Sequence, residues 1–253
     1  MTVTGTLPRV SVLIPTLNEA RNLPTVFRSL PADLFEVLLV DGHSTDGTIE
    51  VARRLRPDVR VILQDGHGKG AALLQGFAAC RGEIIVTMDA DGSADGGEIP
   101  RFVETLTEGA AFAKGTRFGD GGGSADLTPI RRAGNRALTL LVNRLFHLRY
   151  SDLCYGYNAF WARSLPDLGA ACAGFEVETL INIRIARAGL CVREVPSFEH
   201  RRIHGCSNLH PVRDGLRILA VIIREWRDCA RPQERIVVFG EPRPAIAGED
   251  APL

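Results

Sequence analysis

The apolar run Ile84-Ile85-Val86-Thr87-Met88 stops abruptly at Asp89-Ala90-Asp91, and this ending constrains the chain more than any other feature. The run has the length and β-branched composition of a buried strand. Side chains alternate along an extended chain, so Asp89 and Asp91 fall on one side wherever that geometry persists. Two carboxylates at the carboxyl end of a buried strand make a site for a hard divalent cation, which takes oxygen ligands and keeps water or phosphate oxygens beside them. Read alone, the residues fit a polar strand-to-loop junction equally well, because Asp91-Gly92-Ser93 is made of turn formers. The rest of the chain decides between the two.

The same ending recurs upstream. Val10 to Ile14 reads as a first strand, stopped by Pro15, which cannot donate to a ladder. Thr16-Leu17-Asn18-Glu19 follows, then a helical pattern with Leu23, Val26, Phe27 and Leu30 on one face. Phe35 to Val40 is a second strand ending on Asp41, and Thr45 or Asp46 is placed to cap a helix through Ile49, Val51, Ala52 and Leu55. Val59 to Leu63 is a third strand, after which Asp65 to Gly70 opens a helix over 71–80. Strands alternating with helices predict an α/β domain on a mostly parallel central sheet flanked by helices. Ligands bind such sheets at the carboxyl ends of the strands.

Three strand ends therefore gather polar groups at one sheet edge. A carboxylate there accepts hydrogen bonds from ribose hydroxyls or a base N–H, and a pair holds a metal that bridges a diphosphate. Gly68-Lys69-Gly70 adds a cation at a helix start, which suits an anionic ligand. The spacing is neither a Walker loop nor Gly-x-Gly-x-x-Gly, which argues against an ATPase or a dinucleotide enzyme. Taken singly, Asp41 also fits a turn and Lys69 a solvated surface lysine.

Composition narrows the setting. The 253 residues suffice for a substantial core, and thirty basic against thirty acidic residues give no net charge, which argues against general nucleic-acid binding. Six scattered cysteines without a Cys-x-x-Cys pair read as reduced thiols in a cytosolic protein. No signal-peptide pattern opens the chain, and no run approaches the roughly 18–20 apolar residues of a membrane span. The expected location is the cytoplasm.

Val12 to Glu19, Val40 to Thr48, Gly68-Lys69-Gly70 and Asp89-Ala90-Asp91 stand in the order and spacing of family 2 glycosyltransferases. The chain resembles that family over roughly residues 8–228, and within it the polyprenol-phosphate (dolichol-phosphate) sugar synthases. The resemblance implies a GT-A fold, a Rossmann-like nucleotide-sugar domain, with Mg²⁺ or Mn²⁺ as cofactor. It implies that Pro15, Thr16, Asn18, Glu19 and Asp41 hold the nucleoside, with Lys69 near the donor. Asp89, Ala90 and Asp91 then serve the diphosphate, and the two carboxylates the metal.

Further segments fit the resemblance. Lys114-Gly115-Thr116-Arg117 resembles a family strand end, and the glycine-rich 119–126 reads as a mobile loop without a fixed element. Arg131 to Arg136 opens a helix whose Leu138, Leu141, Val142, Leu145 and Phe146 form a stripe read as core. By the resemblance, Arg117, Arg131 and Asn135 receive the phosphate of a polyprenyl phosphate acceptor; a solvated helix face is the other reading of the arginines. Asp152, in a segment similar to the family's Asp-x-x-x-Gly-Phe/Tyr-x-Ala, is expected near the sugar or acceptor as a catalytic group, or else as a cap. Glu176 and Glu178 flank the place of a general base in soluble-acceptor relatives. Arg201-Arg202-Ile203-His204-Gly205-Cys206-Ser207 resembles a loop that closes on the diphosphate, so Arg202 is expected to stabilise the leaving group.

The helix from Asp214 to Trp226 is apolar on more than one face and edged by Arg213, Arg217, Arg224 and Arg227. It is expected to pack on the domain, with peripheral contact to the cytoplasmic face of a membrane as the alternative. Residues 229–253 read as a disordered tail. The function expected is metal-dependent, inverting transfer of a sugar from GDP-mannose or a UDP-hexose to a polyprenyl phosphate, with Asp91, Asp152 and Arg202 in catalysis. Transfer to a soluble or carrier-bound acceptor is the alternative, and an inactive nucleotide-sugar-binding protein the option from a different class. A nucleotidyltransferase would need a basic, glycine-rich loop after the first strand, which Pro15 to Glu19 does not provide.

Overall fold

The computed structural model describes residues 7–165, 174–207 and 209–229. Apart from Cys229, the tail expected over 229–253 lies outside them, as does Cys172. Strand β1 (Val10–Thr16) leads to α1 (Leu23–Ser29), β2 (Glu36–Asp41), α2 (Thr48–Leu55), β3 (Arg60–Leu63), α3 (Lys69–Ala79) and β4 (Ile84–Thr87). Then come α4 (Ile99–Thr107), β5 (Phe112–Thr116), β6 (Gly123–Ser124), α5 (Pro129–Phe146), β7 (Asn158–Trp161), α6 (Glu176–Arg187), β8 (Val192–Pro196), β9 (Phe198–Glu199) and α7 (Pro211–Cys229).

Seven strands form one sheet in the order β3-β2-β1-β4-β7-β5-β8. All neighbours are parallel except β7, which runs antiparallel between β4 and β5. From β1 the chain moves outward through β2 and β3, then returns to lay β4 on the other side of β1. The crevice between the ends of β1 and β4 is thus the topological switch point where open α/β sheets take ligands. Asp89 and Asp91 stand just past the end of β4.

The period-two pattern divides the core. Val12, Ile14, Val37, Leu39 and Val86 face α1, α2 and α4, while Leu13, Leu38, Val40 and Ile85 face α3 and α6. The β2 residues are buried on both faces, as in a strand covered by helices on either side. A third cluster joins α5, α6 and α7 through Val142, Ile183, Ile218 and Ile222. Leu138, Leu141, Leu145 and Phe146 pack against it, so the α5 stripe is core, as its periodicity predicts.

The glycine-rich segment 119–126 departs from expectation, because it holds strand β6. Residues Gly123 and Ser124 pair in parallel with β9, and a Cβ on Gly123 would meet the Phe198 ring at 2.7 Å. Glycine here leaves room for the Phe198 ring rather than only conferring freedom.

Candidate active site

Backbone geometry at the strand ends shapes the cleft. After β1 the chain turns through Asn18 at φ 57°, and after β2 through His43 at φ 64°. Asparagine and histidine are among the residues that tolerate this left-handed region. Asn18 Oδ1 accepts from the Thr45 N–H at 2.8 Å, and Ser44 Oγ accepts from the Asn18 N–H at 2.8 Å. Asp41 is fully buried; its carboxylate accepts from the N–H and Oγ of Ser44 at 2.8 and 2.6 Å and from Thr16 Oγ1 at 3.3 Å. Asn18 and Asp41 thus stitch two loops together, while Pro15, Thr16 and Glu19 form the cleft wall in front of them. The N-cap of α2 is Gly47 rather than Thr45 or Asp46, and Asp46, one residue earlier, accepts from the N–H and Oγ1 of Thr48.

At the end of β4 each carboxylate meets a cation. Lys69, the first residue of α3, places Nζ 2.5 Å from Asp89 Oδ1 and 2.6 Å from Glu178 Oε1. Burial works against the ammonium, but Asp89 and then Glu178 outweigh it and hold its pKa above the ordinary lysine value. Arg202 places Nη2 3.1 Å from Asp91 Oδ2 and Nη1 2.9 Å from Glu19 Oε1. Burial again opposes the charge, and Asp91 and Glu19 raise the pKa in spite of it. Asp91 Oδ1 also accepts from the Ser93 N–H at 2.9 Å, and its carbonyl from the Ile203 N–H at 3.2 Å. The Arg202 loop is therefore fastened across the ends of β1 and β4.

A second cluster lies deeper. Arg117 Nε and Nη2 donate to Asp152 at 2.7 and 3.0 Å, and Nη1 donates to both oxygens of Glu199 at 3.1 and 3.0 Å. Asn135 Nδ2 donates to Asp152 at 2.8 Å, and its Oδ1 accepts from the Cys154 N–H. Arg117 is 5% exposed and Asp152 wholly buried. These positions correct three expectations. Asp152 is not open to a sugar, Asn135 is turned to Asp152, and Arg117 reaches an acceptor only if Glu199 leaves. Each side chain is held because a buried charge must be matched where it lies. Arg131 does line the cleft, paired to Asp126 at 3.0 Å.

The cleft between these clusters has a volume of about 680 Å³, ample for a nucleotide-sugar. Glu178, Glu199 and Arg201 line it and carry no periodic sequence signal for that role; Glu178 was flagged only as one of two base candidates. Glu176, the other, stands outside the lining, and its Oε2 has no hydrogen-bond partner. Cys154 also lines the cleft, but burial pushes its thiol up to about 12, which removes it as a nucleophile. Gly156 is where the floor approaches Lys69 and Glu178: a Cβ there would lie 2.5 Å from Glu178 Oε1 and 2.8 Å from Lys69 Nζ. Gly156→Ala is expected to cost roughly 1–3 kcal/mol through overpacking, read as a lower urea midpoint.

Among the described residues no group of three or more His, Cys, Asp or Glu side chains forms a closed metal cage. Asp89 and Asp91 nonetheless suit a hard cation. Mg²⁺ is characteristically bound by one or two carboxylates and completes its shell with water and substrate phosphates.

The mostly parallel central sheet flanked by helices is a GT-A fold, with acidic, cation-paired strand ends at its switch point. The chain belongs to glycosyl transferase family 2, whose profile matches residues 11–184. It is 32% identical over 238 residues to glycosyltransferase AglJ of Haloferax volcanii, covering 91% of this chain and 75% of that one. It is 31% identical over 215 residues to undecaprenyl-phosphate 4-deoxy-4-formamido-L-arabinose transferase of Pseudomonas fluorescens, covering 81% of this chain and 61% of that one. Among solved structures it resembles glucosyl-3-phosphoglycerate synthase from Mycobacterium tuberculosis in complex with Mn²⁺, UDP-glucose and phosphoglyceric acid. That match has a TM-score of 0.64 and 25% identity, over 89% of this chain and 81% of the other. A mycobacterial protein crystal structure matches with TM-score 0.70 at 21% identity, over 89% and 76%. The chain is thus an enzyme of the glycosyltransferase type.

Proposed function

We propose that this enzyme transfers a sugar from a nucleoside diphosphate donor to a polyprenyl phosphate, with inversion at the anomeric carbon. The observation that carries the reading is the double pairing at the end of β4, Lys69 with Asp89 and Arg202 with Asp91. Before donor binding each carboxylate is neutralised by a cation of the chain. When a donor binds, Lys69 and Arg202 are placed to exchange these carboxylates for the oxygens of its diphosphate.

Asp91, with Asp89 beside it, would hold a divalent cation, which supplies positive charge to the departing diphosphate. The other groups belong to the chain. Pro15 and Thr16 form the wall for the nucleoside, with Asp41 and Asn18 bracing the loops behind it. Glu19 orients Arg202, which meets the negative charge that grows on the leaving oxygen. An acceptor phosphate oxygen attacks the anomeric carbon from the opposite face; the new C–O bond forms as the bond to the diphosphate breaks, and the electron pair leaves with the nucleotide. A phosphate is already ionised near neutral pH and hardly needs a general base, which agrees with Glu178 being bound to Lys69.

The lipid part of the reading is supported by α7. Asp214, Ile218, Val221, Ile222 and Glu225 face inward, while Val212 (67% exposed), Leu216 (61%), Ile223 and Trp226 form a second, outward stripe among arginines. Arg213, Arg217 and Ile218 of the same helix line the cleft, so a surface that rests on lipid leads directly to the site. No helix among the described residues is long and apolar enough to cross a membrane, and contact at the cytoplasmic surface is peripheral in this reading. The polyprenyl phosphate named in the Pseudomonas relative supports the same acceptor class.

The test is nucleoside diphosphate release from GDP-mannose, UDP-glucose and UDP-N-acetylglucosamine, with Mg²⁺ or Mn²⁺, with and without farnesyl phosphate. Release that needs one donor and the lipid phosphate is expected. Release driven instead by a soluble acceptor, such as a phosphorylated three-carbon acid, would replace the lipid reading.

A further inference from the structure

Resting on the phosphate-acceptor reading, we infer that Glu199 is the internal occupant of the acceptor-phosphate subsite and sets its affinity. Its carboxylate takes the very donors that a phosphoryl group would need. Both oxygens accept from Arg117 Nη1, at 3.1 and 3.0 Å, and Oε2 also accepts from Ser124 Oγ. Arg117 has no other outward-facing donor, because Nε and Nη2 are spent on Asp152 and the Cys154 carbonyl.

Two further guanidinium groups converge on the residues beside Ser124. Arg201 Nε donates to the Ala125 carbonyl at 3.2 Å, and Arg131 Nη1 donates to Asp126 Oδ2 at 3.0 Å. Glu199, Arg131 and Arg201 all line the cleft. One guanidinium and a hydroxyl thus hold the Glu199 carboxylate, while Arg201 and Arg131 are fastened to the two residues that follow Ser124, Arg131 by the Asp126 carboxylate. A phosphate monoester carries more charge and more acceptor oxygens than a carboxylate, and guanidinium binds it bidentately. It can exchange for Glu199 where a neutral hydroxyl acceptor cannot.

The backbone at Glu199 is fixed on both sides. Glu199 belongs to β9, whose backbone pairs with β6: Ala125 N–H donates to the Glu199 carbonyl at 2.8 Å. The next residue, His200, donates its N–H to the Ser93 carbonyl at 2.8 Å, two positions beyond Asp91. Arg202 follows on the same loop. Glu199 therefore sits between the acceptor subsite and the diphosphate loop, and the main-chain bonds on either side of it stay in place when its side chain moves.

An internal competitor lowers apparent affinity by the fraction of time the subsite stands open. If Glu199 occupies the subsite about nine-tenths of the time, its removal strengthens acceptor binding about tenfold. The experiment compares wild type, Glu199→Gln and Glu199→Asp in steady-state kinetics with farnesyl phosphate, and in calorimetric titration with inorganic phosphate. Glu199→Gln is expected to lower the KM for farnesyl phosphate about tenfold with little change in donor KM, and to bind inorganic phosphate more tightly. Glu199→Asp retains the charge and overall fold but loses reach, and falls between the two. A merely structural Glu199 cannot produce this gain. An unchanged or raised KM in a variant with wild-type melting temperature overturns the inference, as does phosphate binding indifferent to both substitutions. Failure of the parent reading looks different: wild type then turns over only non-phosphate acceptors, whatever stands at position 199.

Discussion

Asp91→Ala is expected to lower the rate of sugar transfer on the order of 10³-fold while leaving the fold intact. Asp91 ties the Arg202 loop to the proposed donor site: its carboxylate faces Arg202, it receives the Ser93 N–H, and its carbonyl pins the loop through Ile203. Only the side-chain part is lost on substitution. Charge stabilisation of a leaving diphosphate by a bound cation is worth several kcal/mol, and about 4 kcal/mol is three decades in rate. The stability cost is small by comparison, because the carboxylate is partly solvated and the loop keeps its backbone bonds. Asp91→Asn sharpens the test, since it keeps the hydrogen bond from Ser93 and removes only the charge. Both variants are expected to lose activity alike, with melting temperatures near wild type. An Asn variant with near wild-type kcat would show that the turn, not the charge, is what the reaction needs.

The second large effect is on stability. Asp152→Ala leaves Arg117, 5% exposed, with Glu199 as its one remaining carboxylate partner. Removing one partner of a buried ion pair costs about 3–5 kcal/mol, because the other charge stays buried. For a domain of this size the melting temperature falls roughly 10 °C. The pH dependence has a definite sign. Burial raises the Asp152 pKa, and the hydrogen bonds and charge of Arg117 lower it by more, so the folded value lies below the unfolded one. The folded state then binds fewer protons, and the pair stabilises fully above the unfolded value of about 3.9. That contribution is lost as pH falls below this value, and Asp152→Ala should flatten the acid limb of the stability curve. A variant with wild-type stability and no activity would instead return Asp152 to the catalytic group.

How much of this was legible in the sequence depended on whether a residue's surroundings are local. The strands β2, β3 and β4 are short β-branched runs bounded by turns, and each lies within one residue of its expected span, whereas β1 continues through Pro15, expected to stop it, and pairs with β2 as far as Thr16. Their carboxyl-end residues were legible for the same reason, since a strand's direction fixes which end faces the ligand. Strand β7 was not, because its pairing between β4 and β5 is decided by residues far along the chain. The two-residue strands β6 and β9 carry no periodicity at all; each is defined only by the other. Arg117 shows the limit for side chains. Its presence at a strand end was readable, but its enclosure by Asp152 and Glu199, 35 and 82 residues away, follows from the tertiary fold. Glu178 and Lys69 are separated by 109 residues and meet because α3 and α6 cover the same face of the sheet.

The most direct test of transfer to phosphate is the identity of the product. The enzyme, a divalent cation and the accepted nucleotide-sugar are incubated with farnesyl phosphate, and the lipid fraction is taken for mass and ³¹P and ¹H NMR spectra. A hexosyl phosphate diester whose anomeric configuration is opposite to that of the donor is the predicted result. Free sugar alone, a glycoside on a hydroxyl group, or a product with the donor's own configuration would contradict it.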